Sequence, residues 1–161
     1  MPYRGKYVPE NIAKYKGDVF GIWYRSLLER QVMVYLDRNS NVLEWSSEEI
    51  IIPYSSPVGN KIRRYFPDFY VKVKAVDGSI REWIWEVKPE KETRPPVAKT
   101  QKELLTETRA KRRRYTLEVI KYGINKNKWE AAQRYCAARG WKFYVITEKQ
   151  IATMTKLNGS R

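Results

Sequence analysis

The chain has 161 residues, 42% hydrophobic and 14% aromatic, enough for one folded domain with a real core and too apolar for a disordered polymer. Its formal net charge of +14 is lopsided, with net +2 over residues 1–87 and net +12 over residues 88–161, which points to a polyanionic partner, nucleic acid first. There is no histidine and one cysteine, Cys136, which excludes an internal disulfide, a Ser-His-Asp triad, a Cys–His nucleophile and a histidine zinc site, so any metal must be held mainly by oxygen, as Mg²⁺ or Mn²⁺ are.

Residues 1–20 are expected to form an N-terminal arm ahead of a single domain spanning residues 21–161. The arm's Arg4, Lys6, Lys14 and Lys16 suit phosphate contact, and its tyrosines suit a strap packed over the domain equally well. From Trp23 to Leu36, apolar residues recur at three- and four-residue spacing, which predicts a helix carrying Glu29. Asp37 to Asn41 read as helix stop and turn. The run Ile50-Ile51-Ile52 reads as a short buried strand ended by Pro53, followed by a turn over residues 55–60. A basic, aromatic approach carrying Arg63 and Arg64 then leads to Pro67-Asp68.

Residues 69–87 predict a β-hairpin. Phe69, Val71 and Val73 alternate with polar residues, and after Asp77-Gly78 so do Trp83, Trp85 and Val87. Directly opposed residues share a face. A two-residue turn would set Phe69 against charged Glu86. A three-residue loop, Val76-Asp77-Gly78 with Gly78 left-handed, sets Phe69 against Trp85, Val71 against Trp83 and Lys72 against Glu82. The same register brings Asp68 beside Glu86, with Lys88 next on that face. Opposed like charges destabilise a sheet, so something positive, a divalent metal above all, should lie between them.

Beyond Lys88, a proline-containing loop precedes a helical segment over residues 99–122 that contains the basic run Arg109 to Arg114. Such a run suits either a solvated face or phosphate contact, and its place in the +12 half favours the phosphate. Gly123 should break this helix. A second one should open at Asn127, carry Lys128 and Gln133, and stop at Gly140. Residues 141–147 read as a strand, Thr147 to Gln150 as a capping box for a last helix, and the tail from Lys156 as frayed. No run is apolar enough to span a bilayer, and no membrane association and no nucleotide cofactor are expected.

Pro67-Asp68 followed by Glu86-Val87-Lys88, with Glu29 on a preceding helix, resembles the PD-(D/E)xK nuclease superfamily. More particularly, the segments YRSLLER, EEIIIPY, RRYFPDFYVKVK and EVKP resemble the TnsA-like nucleases and the head-completion nucleases of large tailed phages. The resemblance implies an α/β restriction-endonuclease-like fold with a central mixed sheet flanked by helices. It implies a metal-dependent DNA endonuclease with Glu29, Asp68, Glu86 and Lys88 as catalytic residues. Mg²⁺, with Mn²⁺ as substitute, would be held by Asp68, Glu86, the Val87 carbonyl and Glu29. Metal-bound carboxylates neutralise an anionic phosphodiester and acidify a bound water. Close to that metal, Lys88 is expected to have a lowered pKa and to orient that water or take its proton.

The expected partner is double-stranded DNA, contacted by Arg63, Arg64, Arg109, Lys111, Arg112, Arg113, Arg114, Lys128 and Gln133. The resemblance also implies portal or neck proteins of a phage head as partners, action in the host cytoplasm during infection, and association with the virion. Two other readings are a DNA-binding structural head protein with a vestigial site and an RNA nuclease; no RNA-reading module supports the latter.

Overall fold

A computed structural model of the chain describes residues 3–159; Met1, Pro2, Ser160 and Arg161 lie outside the described residues. Short strands β1 (Gly5–Lys6) and β2 (Trp23–Tyr24) pair with each other. Helix α1 (Leu27–Arg38) leads to β3 (Val42–Ser47), then β4 (Ile52–Ser56) and β5 (Lys61–Tyr65). The hairpin β6 (Phe69–Lys74) and β7 (Ile80–Val87) follows. Then come α2 (Gln101–Thr106), α3 (Arg109–Ala137), β8 (Lys142–Ile146) and α4 (Glu148–Gly159). A mixed four-stranded sheet of order β3-β6-β7-β8 forms the centre, antiparallel except for the parallel β7–β8 pair.

The hairpin has the predicted register. Phe69 opposes Trp85, Val71 opposes Trp83 and Lys72 opposes Glu82, and Gly78 is left-handed at φ +83°. Glu82 uses its carboxylate to accept the Tyr70 hydroxyl at 2.6 Å. Alternation sends Phe69, Val71, Trp85 and Val87 into a cluster with Val32, Met33, Leu36 and Ile151 of α1 and α4. The opposite face is also covered. Ile84 packs there with Ile52, Tyr54, Tyr65, Ala131, Ala132 and Cys136, beneath α3 and the β4–β5 ribbon. A sheet covered on both faces holds any polar group on it in a confined, low-dielectric place.

Several elements differ from the sequence reading. Helix α1 starts at Leu27, because Ser26 caps it by accepting the Glu29 N–H; Trp23 belongs to β2. Of the three isoleucines only Ile52 is buried, and Ile51 is exposed. Pro53 sits inside β4, opposite Arg64, which a two-stranded ribbon permits because each strand has a free edge for the missing donor. Gly123 does not interrupt α3. The break falls at Thr108, which caps α3 by accepting the Lys111 N–H. One interior glycine costs about 1 kcal/mol, less than the burial of the α3 residues beyond it supplies. The tail from Lys156 is helical as far as Gly159.

The N-terminal segment lies on the domain, with Tyr7 and Tyr15 buried in the main cluster. Asp37 anchors it. This carboxylate is fully buried and accepts the Tyr7 hydroxyl at 2.8 Å, the Glu10 N–H at 2.7 Å and the Asn11 N–H at 2.9 Å. Lys14, one of the arm residues suited to phosphate contact, donates to the carbonyls of Asp37 and Asn39. Asp37→Ala would strand three donors at once. Urea denaturation should show a loss of about 3 kcal/mol.

Candidate active site

Asp68 directly precedes β6, where Pro67 fixes the backbone, and Glu86 is near the end of β7. The printed ladder stops at Phe69–Trp85. Beyond it Asp68 turns so that its Oδ2 accepts the Val87 N–H at 2.7 Å. Burial, then the charges of Glu86 and Glu29, push the Asp68 carboxyl well above the usual carboxylate range. Glu86 is 6% exposed. Its Oε2 accepts the Tyr65 hydroxyl at 2.6 Å, and its Oε1 lies 3.4 Å from Lys88 Nζ.

Lys88 lies just past the end of β7. Burial pulls its pKa down, but the Glu86 and Asp68 carboxylates outweigh burial and the net shift is upward. Between these carboxylates the ammonium form is favoured. Glu29 reaches the site from the first turn of α1. Burial first, then nearby Glu48, raise its carboxyl, while Oε2 accepts the Arg25 N–H at 3.0 Å. Glu29 is therefore also part of the helix cap, a role the helical pattern alone did not indicate.

Three further residues stand at the site without having been singled out as part of it. Arg25 pairs with Glu48 and feels the charges of Glu29 and Asp68. Glu48 is left-handed at φ +55° and donates its N–H to the Asp68 carbonyl at 3.2 Å. A non-glycine residue held in that conformation marks a locally constrained backbone. Tyr65 supplies the Glu86 hydrogen bond. None is legible from periodicity; the S-x-x-E spacing of Ser26 and Glu29 was the one available signal, and it marked the helix start.

Among the described residues, no three carboxylate or cysteine side chains form a ready-made metal cage. The donor set nonetheless suits a hard divalent cation: two adjacent carboxylates, Glu86 buried and Asp68 half-buried, with the Val87 main chain beside them.

Of the expected DNA-contacting residues, Lys128 is at the site. Its Nζ lies 5.7 Å from the Tyr54 ring centre and 5.5 Å from that of Tyr65. Burial lowers its pKa, opposed by the charges of Glu86 and Asp68. Arg63 and Arg64 are exposed on β5, and the Arg64 guanidinium rests over Phe66 at 5.7 Å. Arg109, Lys111 and Arg113 are exposed near the start of α3. Arg112 is half-buried and donates to the Leu104 carbonyl at 3.0 Å, and Arg114 lies 3.5 Å from Glu118. Gln133 is exposed, about 140° around the helix from Lys128 by helical period.

A mixed sheet flanked by helices, with an acidic pair and a lysine on adjoining strands, is the architecture of a nuclease. Residues 39–148 match the model of the TnsA-like endonuclease N-terminal domain, and the chain belongs to that family. It is 41% identical over 148 residues to the Head completion nuclease of Enterobacteria phage T4, spanning 92% of this chain and 93% of that protein.

The raised Asp68 pKa carries a stability consequence with a definite sign. A carboxyl that holds its proton more tightly folded than unfolded favours the folded state below about pH 4, the ordinary aspartate range. That contribution is lost as pH rises through the folded value. In EDTA at pH 8, Asp68→Asn should therefore stabilise the protein by about 0.5–2 kcal/mol. The gain should vanish below about pH 4, as measured by thermal melts across pH.

Proposed function

We propose that this endonuclease cuts DNA with Mg²⁺ as cofactor and Mn²⁺ as substitute, in the completion of phage heads. The observation that carries the reading is the pairing of half-buried Asp68 with buried Glu86, with Lys88 Nζ 3.4 Å from Glu86. Burial and the charge of Glu86 raise the proton affinity of Asp68, and such electrostatic cost concentrates at functional sites. The 41% identity to the T4 protein named Head completion nuclease supports the biological setting: the host cytoplasm during infection, with portal or neck proteins as neighbours and association with the virion.

In this mechanism Asp68 and Glu86 hold the cation, with the Val87 carbonyl and Glu29 completing its surroundings. The cation supplies charge neutralisation of the phosphodiester and acidification of a bound water. Tyr65 keeps one Glu86 oxygen engaged and so fixes the orientation of the other. Lys88 is charged. Its role is to orient the attacking water and stabilise the negative charge that grows on the phosphoryl oxygens. Lys128, half-buried over two tyrosine rings, provides a second cation for a substrate phosphate. Burial of the site on both sides of the sheet strengthens each of these interactions.

Duplex DNA beyond the site runs along the early turns of α3. Arg109, Lys111 and Arg113 have no carboxylate partner among the described residues, which leaves them available to phosphates.

Purified protein should nick supercoiled plasmid with Mg²⁺ or Mn²⁺ and leave it intact in EDTA. Asp68→Ala and Glu86→Ala should each lower the rate on the order of 10³-fold while retaining DNA affinity. Full cutting by either variant would overturn the mechanism. Replacing Arg109, Lys111 and Arg113 together with glutamine should reduce the slope of log binding constant against log salt by about 3, measured by fluorescence anisotropy on a blunt duplex. An unchanged slope would reduce that surface to a solvated face.

A further inference from the structure

A chain of hydrogen bonds joins the proposed metal ligands across the fold, and it runs through two residues to which the mechanism gives no part. Just ahead of α1, Arg25 donates its main-chain N–H to Glu29 Oε2 at 3.0 Å. The Arg25 guanidinium donates to Glu48 Oε1. Glu48, just past β3, donates its own N–H to the Asp68 carbonyl at 3.2 Å. Asp68 Oδ2 then accepts the Val87 N–H at 2.7 Å. Glu29 belongs to a helix, and Asp68 and Val87 belong to the hairpin. Arg25 and Glu48 bridge the two.

Stability does not explain this pair. The Arg25 and Glu48 side chains are 64% and 30% accessible, and an ion pair so open to water adds little to folding. Glu48 also holds a left-handed backbone at φ +55°, a conformation that costs any residue with a Cβ. Backbone strain of this kind collects at functional sites.

Direct action on substrate or metal does not explain it either. The guanidinium is engaged by Glu48, which leaves it no free phosphate ligand. The Glu48 carboxylate is engaged by Arg25, and among the described residues no third carboxylate joins two others in a cage. What the pair has is main-chain reach at both ends, to Glu29 on one side and to Asp68 on the other.

We propose that Arg25 and Glu48 are positioning residues for the divalent cation, their ion pair tying the start of α1 to the Asp68 turn and so fixing the separation of the Glu29 and Asp68 carboxylates. A small hard cation accepts its oxygen ligands only within a narrow range of distances. Groups that orient the ligands therefore govern its affinity without touching it. The proposal rests on the reading of Asp68 and Glu29 as ligands and adds to it the residues that set their spacing.

The test is Mn²⁺ binding to the protein without DNA, read as loss of the free-ion EPR signal. Arg25→Gln and Glu48→Gln should each weaken binding about tenfold. The double variant should bind no more weakly than either single variant, because both substitutions break the same link. Arg25→Lys keeps the cation and should bind Mn²⁺ more tightly than Arg25→Gln. Both side chains reach solvent, so the variants should fold, with thermal melts in EDTA matching the wild type. Wild-type affinity in either single variant overturns the proposal. So does a double variant whose loss is the product of the two single losses, or an Arg25→Lys variant no better than Arg25→Gln. The same titration of Asp68→Ala separates this proposal from the metal reading beneath it. Binding lost in Asp68→Ala but intact in Arg25→Gln and Glu48→Gln removes the positioning pair alone. Binding intact in Asp68→Ala, or absent from the wild type, removes both.

Discussion

Two carboxylates on neighbouring strands, Asp68 and Glu86, set the terms for the rest of this molecule. Like charges at that separation repel, and burial removes the water that would screen them. The fold must hold them there against that cost. It does so with backbone and side-chain hydrogen bonds: Val87 N–H to Asp68, the Tyr65 hydroxyl to Glu86, and the Lys88 ammonium close by. The hairpin register depends in turn on a three-residue loop with a left-handed Gly78. A one-residue slip would send Glu86 to the other face and place an aromatic ring where the carboxylate belongs.

Coverage of both sheet faces makes this arrangement rigid. On one side lie α1, α4 and the N-terminal strap, tied down by the buried Asp37 carboxylate. On the other lie α3 and the β4–β5 ribbon, whose Tyr54 and Tyr65 serve both as core and as the platform for Lys128. Glu29 has a comparable double duty, capping α1 and contributing charge to the site. Residues that are structural and electrostatic at once tie the stability of the domain to the geometry of its acidic centre, the expected pattern where stability is traded for activity.

Helix α3 links the core and an exposed basic surface in one element. Its 29 residues extend about 43 Å. Its buried residues, Asn125, Ala131, Ala132 and Cys136, all lie in the second half. The first half carries exposed basic residues and projects beyond the packed body. A continuous helix transmits position without a joint, so charges near Arg109 have a defined distance from the catalytic pair.

Local sequence determined much of this. Period-two alternation and an Asp-Gly turn specified the central hairpin, its register and the approach of Asp68 to Glu86, because sheet pairing leaves few ways to bury Phe69, Val71, Trp83 and Trp85 together. The spacing of Glu29, Pro67-Asp68 and Glu86-x-Lys88 specified the acidic site, and the uneven charge pointed to DNA. Tertiary structure decided the rest. Whether the N-terminal segment is an arm or a strap depended on Asp37, whose three donors come from residues far away in sequence. Whether Gly123 ends a helix depended on the packing of later turns against the sheet, which outweighs a propensity cost of about 1 kcal/mol. The sign of the Lys88 shift and the place of Arg25 and Glu48 followed from burial and proximity across the fold. Those are properties of three-dimensional neighbours, and no window of sequence contains them.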